Sequence, residues 1–328
     1  MKITVMGAGA WGTALAISLA EKHQVILWGR DANQVHAMQT DRENTRYLPG
    51  IAFPSNLSID ESLGQATQQS DLVLVVTPTA GLRPSLNALV ALQKSCPVVW
   101  ACKGLEVGSM LPPHAIADTI LPPSIPRGVL SGPSFAQEVA TGLPAALTLA
   151  AEDAAFANHT SSELHGRKLR VYSSTDVVGV EIGGAVKNVM AIAAGVCDGL
   201  KLGNNARAAL ITRGLAEITR LGAALGAKAE TFTGLSGLGD LLLTCTGDLS
   251  RNRKVGLLLA QGQTLAEVLA NLGHVAEGVN TAKEVLRQAN THSVDMPITA
   301  AVCRLLFENV SAAEIVAELM EREHKQEV

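Results

Sequence analysis

The stretch Lys2–Asp31, KITVMGAGAWGTALAISLAEKHQVILWGRD, decides the fold. Ile3, Val5 and Met6 make an apolar strand that breaks into Gly7, Gly9 and Gly12, and a helical pattern carrying Leu15, Ile17 and Leu19 follows. Strand, G-x-G-x-x-G and helix in that order are the fingerprint of a dinucleotide site. Gly7 permits the tight turn, Gly9 lets a pyrophosphate approach the backbone, and Gly12 lets helix and strand pack closely. The phosphates then meet unpaired N–H groups at the helix N-terminus.

A second strand, Gln24 to Trp28, ends at Gly29-Arg30-Asp31, where the adenosine ribose of such a ligand lies. A carboxylate there holds a ribose 2'-OH, whereas a guanidinium pairs with a 2'-phosphate. We read Arg30 as the group facing the ligand, hence NADP(H) accepted, with its preference over NAD(H) undecided; Arg30 stacked on adenine without choosing stays open.

Outward from this motif, the composition sets bounds. A chain of 328 residues exceeds the usual single core, so two domains are expected. With 47% hydrophobic and 17% charged residues and a net charge of -4, it is an ordinary globular chain, neither disordered nor built for nucleic acid. Aromatic residues are only 3%, so the core is aliphatic and stacking platforms for single-stranded nucleic acid are not evident. Cys96, Cys102, Cys197, Cys245 and Cys303 are scattered, without a CxxC or His/Cys spacing. Reduced thiols follow, with no disulfide framework and no metal site. The first strand begins at Lys2, which leaves no room for a signal peptide, and no apolar run reads as a transmembrane segment, so the cytoplasm is the expected compartment.

Along the chain, Asn44-Thr45-Arg46-Tyr47-Leu48-Pro49-Gly50 reads as a loop ended by Pro and Gly. Asp71–Val76, DLVLVV, is a strand buried on both faces, as in a parallel sheet. A helix near Leu82–Gln93 and a strand Pro97–Ala101 lead to Cys102-Lys103-Gly104. Lys103 thus stands at a strand's carboxyl end, where ligands of open α/β sheets bind, and can meet an anionic substrate or be a solvated loop lysine. A short strand Gly128–Leu130 runs into Ser131-Gly132-Pro133-Ser134-Phe135-Ala136, with a helix beginning near Ser134. Strands Ala145–Leu149 and Leu169–Tyr172, with a helix between, complete a dinucleotide-binding domain, 1–176.

From Val177 the pattern is almost wholly helical, and 177–328 is assigned as an all-helical substrate domain. The fold class is therefore α/β, a Rossmann-like doubly wound sheet followed by an all-α domain. The first helix of that domain, GVEIGGAVKNVMAIAAGVCDGL, is apolar yet carries Glu181, Lys187 and Asn188. Its adjacent glycines cost about 1 kcal/mol each against alanine, which argues for close approach of a ligand or another backbone. If Lys187 faces a cleft, partial desolvation lowers its pKa and suits it to exchange a proton with a substrate oxygen; the alternative is a lysine snorkelling to solvent. Further on, GLSGLGDLLLTCTGDLSRNRKVG holds Asp240 and then Ser250-Arg251-Asn252 ahead of a helix near Arg253. A hydroxyl, a guanidinium and an amide at a helix N-terminus suit a phosphate monoester, although plain capping by Ser250 explains the same residues.

GAGAWG, NTRYLPG, CKGLE, SGPSFAQEV, GGAVKNVMAIAAG, GNNARAALITRGLAE, GLSGLGDLLLTCTGDLSRNRKVG and AEGVNTAKEV, in this order, resemble the bacterial soluble NAD(P)-dependent sn-glycerol-3-phosphate dehydrogenases over nearly the whole chain. The resemblance implies interconversion of dihydroxyacetone phosphate and sn-glycerol 3-phosphate for phospholipid synthesis, with NADP(H) or NAD(H) as cofactor. It implies a C-terminal domain of the 6-phosphogluconate dehydrogenase type and catalysis in a cleft between the domains. Lys187 would be the catalytic acid/base, and Lys103, Gly132, Ser134, Asp240, Ser250, Arg251 and Asn252 would bind substrate with it. Gly7, Gly9, Ala10, Trp11, Gly12, Arg30, Tyr47, Lys103, Ala136, Arg251, Val275 and Glu277 would hold the cofactor. Cys102 stands where related sequences often have threonine. A 3-hydroxyacid or 6-phosphogluconate dehydrogenase of the same architecture is the competing enzyme, and a cofactor-sensing protein without chemistry the competing non-enzyme. Neither nucleic acid nor membrane is an expected partner, and a homodimer is left open.

Overall fold

The computed structural model describes residues 1–272 and 276–322. The chain divides into two compact units: Met1–Lys103 with Leu111–Glu181, and Gly104–Met110 with the chain from Ile182 onward.

The first unit is built on ten strands: β1 Lys2–Met6, β2 Gln24–Trp28, β3 Glu43–Asn44, β4 Leu48–Ala52, β5 Leu57–Asp60, β6 Leu72–Val75, β7 Val98–Trp100, β8 Arg127–Ser131, β9 Ala145–Ala150 and β10 Leu169–Ser174. Eight of them form one sheet in the order β10-β9-β8-β7-β6-β1-β2-β5. All neighbours are parallel except β8 and β9. The chain leaves β1 toward β2 and β5, then returns across it to β6, β7 and β8, so the strand order reverses beside β1. At such a switch point the two following connections diverge and leave a crevice at the strands' carboxyl ends.

Alternation along the strands feeds a core on each face. Ile3, Val5, Leu72 and Leu74 pack with Leu15 and Leu27 on one side. Met6, Val73 and Val75 pack with Leu86 and Trp100 on the other. β6 and β7 are buried at every residue, as strands covered on both faces must be.

Three local readings need correction. The Asn44–Gly50 segment is not an open loop: β3 and β4 pair antiparallel, with Asn44 opposite Leu48. Asn44 is fully buried, and its amide donates to the Ala8 carbonyl at 3.0 Å and to Thr13 Oγ1 at 2.7 Å, which ties the hairpin to the glycine turn. The edge strand β5 was not anticipated; only Leu57 and Ile59 of its four residues are buried, too short an alternation to stand out. The helix after Ser134 is Ala136–Ala140, because the Ser134 hydroxyl turns back to the Gly132 carbonyl at 3.1 Å instead of capping.

By contacts, the first unit runs on to Glu181 and the second takes in Gly104–Met110. The helix Val177–Gly199 begins in the first unit, held by Glu181, which lies buried and accepts from Trp100 Nε1 at 2.7 Å and from His114 N at 3.0 Å. His114 Nδ1 stands 2.6 Å from the same carboxylate. Burial works against a charge on that imidazole, but the Glu181 hydrogen bond and charge outweigh it and hold its pKa above the ordinary value.

The second unit is helical: Gly203–Ala224, Ala229–Phe232, Asp240–Thr246, Arg251–Ala260, Leu265–Leu272, Glu277–Thr291, Pro297–Phe307 and Ala312–Met320 follow the long helix. The glycine-dense stretch before Asp240 is itself helical, a π-turn Leu235–Gly239 in which Gly239 N bonds Gly234 O at 3.1 Å. The expected close approach at the Gly183-Gly184 pair is by backbone: a Cβ on Gly183 would stand 2.4 Å from Ser236 O. The long helix and Arg251–Ala260 likewise touch at their backbones, since a Cβ on Gly256 would lie 1.8 Å from Ile192 O. Contrary to the expectation that no run is long and apolar enough, Val177–Gly199 could cross a bilayer by length and composition, yet 89% of its most apolar stretch is buried within the protein. Deeper in this unit the buried Glu217 accepts from Ile298 N at 2.6 Å and Thr299 N at 3.1 Å, and so caps Pro297–Phe307.

Candidate active site

In the first unit the glycine turn follows β1 at the switch point. Gly7 has φ +122°, and a Cβ there would strike Val76 O at 2.6 Å. A Cβ on Gly12 would lie 1.9 Å from Gly7 O, so strand and helix touch at this point. At Gly9 the same atom would meet nothing within 4 Å. Gly9 is also the N-cap of Ala10–Leu19 and supplies no side-chain cap. The turn therefore presents an open cradle lined by first-turn N–H groups, which is what an anionic pyrophosphate requires. Trp11 is half-buried, packed beside Ala14, Leu48 and Val139.

At the end of β2, Asp31 caps Ala32–Asp41, its Oδ1 accepting from Asn33 N at 3.1 Å and Gln34 N at 3.3 Å. Arg30 beside it is exposed and has no hydrogen-bond or ion-pair partner among the described residues. Tyr47, half-buried at the hairpin tip, donates its N–H to Asn44 Oδ1 at 3.2 Å.

At the carboxyl ends of β7 and β8, Lys103, Gly132 and Ser134 come together. Lys103 Nζ donates to Gly132 O at 3.0 Å, the acceptor that Ser134 also uses, and Gly132 has φ +136°. Ala136 opens the next helix.

In the second unit, Lys187 lies on the long helix with only 6% of its surface exposed. Its ammonium is paired with Asp240 Oδ1 and donates to Thr244 Oγ1 at 3.0 Å. Thr244 in turn donates to the Asp240 carbonyl at 2.6 Å. Asp240 and Thr244 are one helical turn apart and point to the same face, a spacing visible in the sequence although Thr244 was not singled out. Cys245 borders this cluster; burial pushes its thiol up to about 12, so it stays undissociated and is no nucleophile.

Asn188, next to Lys187, accepts from Asn252 Nδ2 at 3.0 Å, while Asn252 Oδ1 accepts from Gly278 N at 3.0 Å. These two amides link the N-termini of Arg251–Ala260 and Glu277–Thr291 to the lysine-bearing helix. Ser250 is the N-cap of Arg251–Ala260, its hydroxyl accepting from Arg253 N at 3.3 Å, and Arg251 is exposed without an ion pair among the described residues. Glu277 opens its helix, half-buried. Val275 lies outside the described residues.

Residues 2–157 match the model of the NAD-dependent glycerol-3-phosphate dehydrogenase N-terminus, and residues 176–317 that of the C-terminus. The chain belongs to this family. Two glycerol-3-phosphate dehydrogenases [NAD(P)+], from Thiobacillus denitrificans and Aromatoleum aromaticum, are each 56% identical to it over the full length of both chains. The crystal structure of glycerol-3-phosphate dehydrogenase from Coxiella burnetii superposes with a TM-score of 0.94 at 42% identity, covering 98% of this chain and 99% of that one. The yeast enzyme, from Saccharomyces cerevisiae, follows at a TM-score of 0.83 and 29% identity, covering 98% and 99%. As a glycerol-3-phosphate dehydrogenase family member the chain is an NAD(P)-dependent oxidoreductase with a Rossmann-like unit and a helical unit. The glycine cradle fits that cofactor, because the one position where a side chain would protrude unopposed is Gly9.

Proposed function

We propose that the chain reduces dihydroxyacetone phosphate to sn-glycerol 3-phosphate, reversibly, with Lys187 as the proton donor and acceptor. The observation that carries this reading is the Lys187 ammonium, nearly buried yet fixed by the Asp240 carboxylate and the Thr244 hydroxyl. A lysine without a task would reach solvent on so long a side chain. The Gly7–Gly12 turn would hold NAD(P)H, which would supply the hydride.

Lys187 Nζ gives a proton to the ketone oxygen during reduction and takes the hydroxyl proton in the reverse direction. Asp240 and Thr244 restrict the ammonium to one position, so that its proton is aimed and not averaged over rotamers. Ser250, Arg251 and Asn252 are the proposed phosphate contacts. Arg251 is exposed at a helix N-terminus, where a guanidinium and first-turn N–H groups favour a dianion. Lys103, Gly132 and Ser134 are proposed substrate contacts of the first unit. The proposed cofactor contacts are Gly7, Gly9, Ala10, Trp11, Gly12, Arg30, Tyr47, Lys103, Ala136, Arg251, Val275 and Glu277. In the cell the product would feed phospholipid synthesis in the cytoplasm, and a homodimer is the assembly to look for first.

Steady-state oxidation of NADPH and NADH with dihydroxyacetone phosphate, against the reverse assay with 3-hydroxyisobutyrate and 6-phosphogluconate, tests the reading. Turnover of the triose phosphate alone is expected; turnover of only the other two would overturn it. Arg251→Ala should act mainly on the substrate KM, and an effect confined to kcat would contradict its phosphate role.

A further inference from the structure

The end of β2 carries a second guanidinium that the glycine fingerprint does not mention. Arg46, at the tip of the β3–β4 hairpin, places Nη1 3.4 Å from Asp31 Oδ2, and its guanidinium lies 5.0 Å from the Tyr47 ring centroid. Its position there is built, not incidental. Asn44 anchors the hairpin on Ala8 O and Thr13 Oγ1, and Gln34 Nε2 reaches the same Ala8 carbonyl at 2.7 Å. The carboxylate that a ribose diol would need is meanwhile engaged on both oxygens: Oδ1 by the helix N–H groups, Oδ2 by Arg46.

From this we infer that Arg46 is a specificity residue for the adenosine end of the cofactor, the partner of Arg30 in gripping a 2'-phosphate. The inference rests on the dinucleotide reading of the glycine turn. The Arg46–Asp31 pair is open to water on both sides, with 60% and 47% of the side chains exposed, so the guanidinium is easily drawn away. A phosphate dianion offers it twice the charge of the carboxylate and oxygens for the same forked contact, whereas a 2'-hydroxyl offers nothing to outbid Asp31. Arg46 therefore stays on Asp31 when the ribose is unphosphorylated and crosses to the phosphate when it is not. Asp31 acts as the parking site, and Asn44 as the positioning residue that holds the hairpin within reach.

The test is equilibrium binding by calorimetry on the full chain without substrate, using adenosine 2',5'-bisphosphate and 5'-AMP. Arg46→Ala should weaken the bisphosphate about tenfold and leave AMP within about twofold, as expected for loss of a charge-assisted contact. Arg46→Lys should recover only part of the loss, since the charge returns without the fork. Asp31→Asn should tighten the bisphosphate by removing the competitor. The bisphosphate's salt dependence should flatten in Arg46→Ala. Equal losses for both ligands would make Arg46 a support for Tyr47 and the hairpin and overturn the inference, as would no loss for either. Because no ketone enters the experiment, a chain that failed to turn over dihydroxyacetone phosphate would still give a readable ratio. A wild-type chain that bound both adenosines equally would sink the inference while leaving the reaction untouched.

Discussion

The glycine cradle and the lysine cluster are built by opposite means. The cradle is made of backbone: Gly7, Gly9 and Gly12 lie within one turn of chain, and what they contribute is the absence of side chains. The lysine cluster is made of side chains from distant segments, with Lys187 paired to a residue 53 positions away and hydrogen-bonded to one 57 positions away. A backbone site survives wherever the local turn forms, whereas a side-chain cluster exists only once the helices of the second unit have packed.

The comparison is broken most severely at Lys187. Lys187→Ala should lower kcat by about a hundredfold or more while adenosine-ligand affinity stays as in the wild type. A parallel loss of nucleotide affinity would mean that the two regions do not work independently. Next in size, Gly12→Ala should destabilise the chain by about 1–3 kcal/mol, seen as a lower Tm, because the new Cβ has no room against Gly7 O at 1.9 Å. Gly9→Ala should leave Tm nearly unchanged, its Cβ having open space, but weaken nucleotide binding severalfold in titration. If both glycine variants lost stability alike, the cradle would be a packing feature and not a ligand surface. Thr244→Val should cost about tenfold in kcat through the lost hydrogen bond to Lys187, with Thr244→Ser restoring most of it.

A separate effect concerns pH and the second unit alone. Burial raises the Glu217 carboxyl to about 7, against the pull of its bonds from Ile298 and Thr299. Between pH 4.5 and 7 the folded chain thus holds a proton that the unfolded chain has released, so this group's contribution to stability falls as pH rises through that window and is level above it. Urea midpoints taken from pH 5 to pH 8 should show this decline, and Glu217→Gln should remove it. A Glu217→Gln variant with an unaltered pH profile would contradict the assignment.

Legibility in the sequence followed the same division. The cradle could be read directly because a turn, its glycines and the following helix are contiguous, and steric demands on φ act residue by residue. Lys187 stood out because a charged residue in an apolar helix needs a partner, but nothing in the string says that the partner is Asp240 or that Thr244 completes it. Ser250 shows the limit from the other side: its hydroxyl caps the helix, and the same residue type would serve a phosphate. The segment from Asn44 reads as a loop because its decisive bonds, to Ala8 and Thr13, reach 36 and 31 positions back along the chain.

By itself, then, the sequence determined the alternation of strand and helix, the dinucleotide turn and the change to an all-helical second half, since these depend on periodicity and on which residues tolerate a given backbone angle. Tertiary structure alone decided that Asp31 holds Arg46, that Glu181 keeps the start of the long helix with the first unit, and that Asp240 meets Lys187. Hydrogen bonds and ion pairs act over a few ångströms of space regardless of separation along the chain, so their partners are fixed only when packing brings them together.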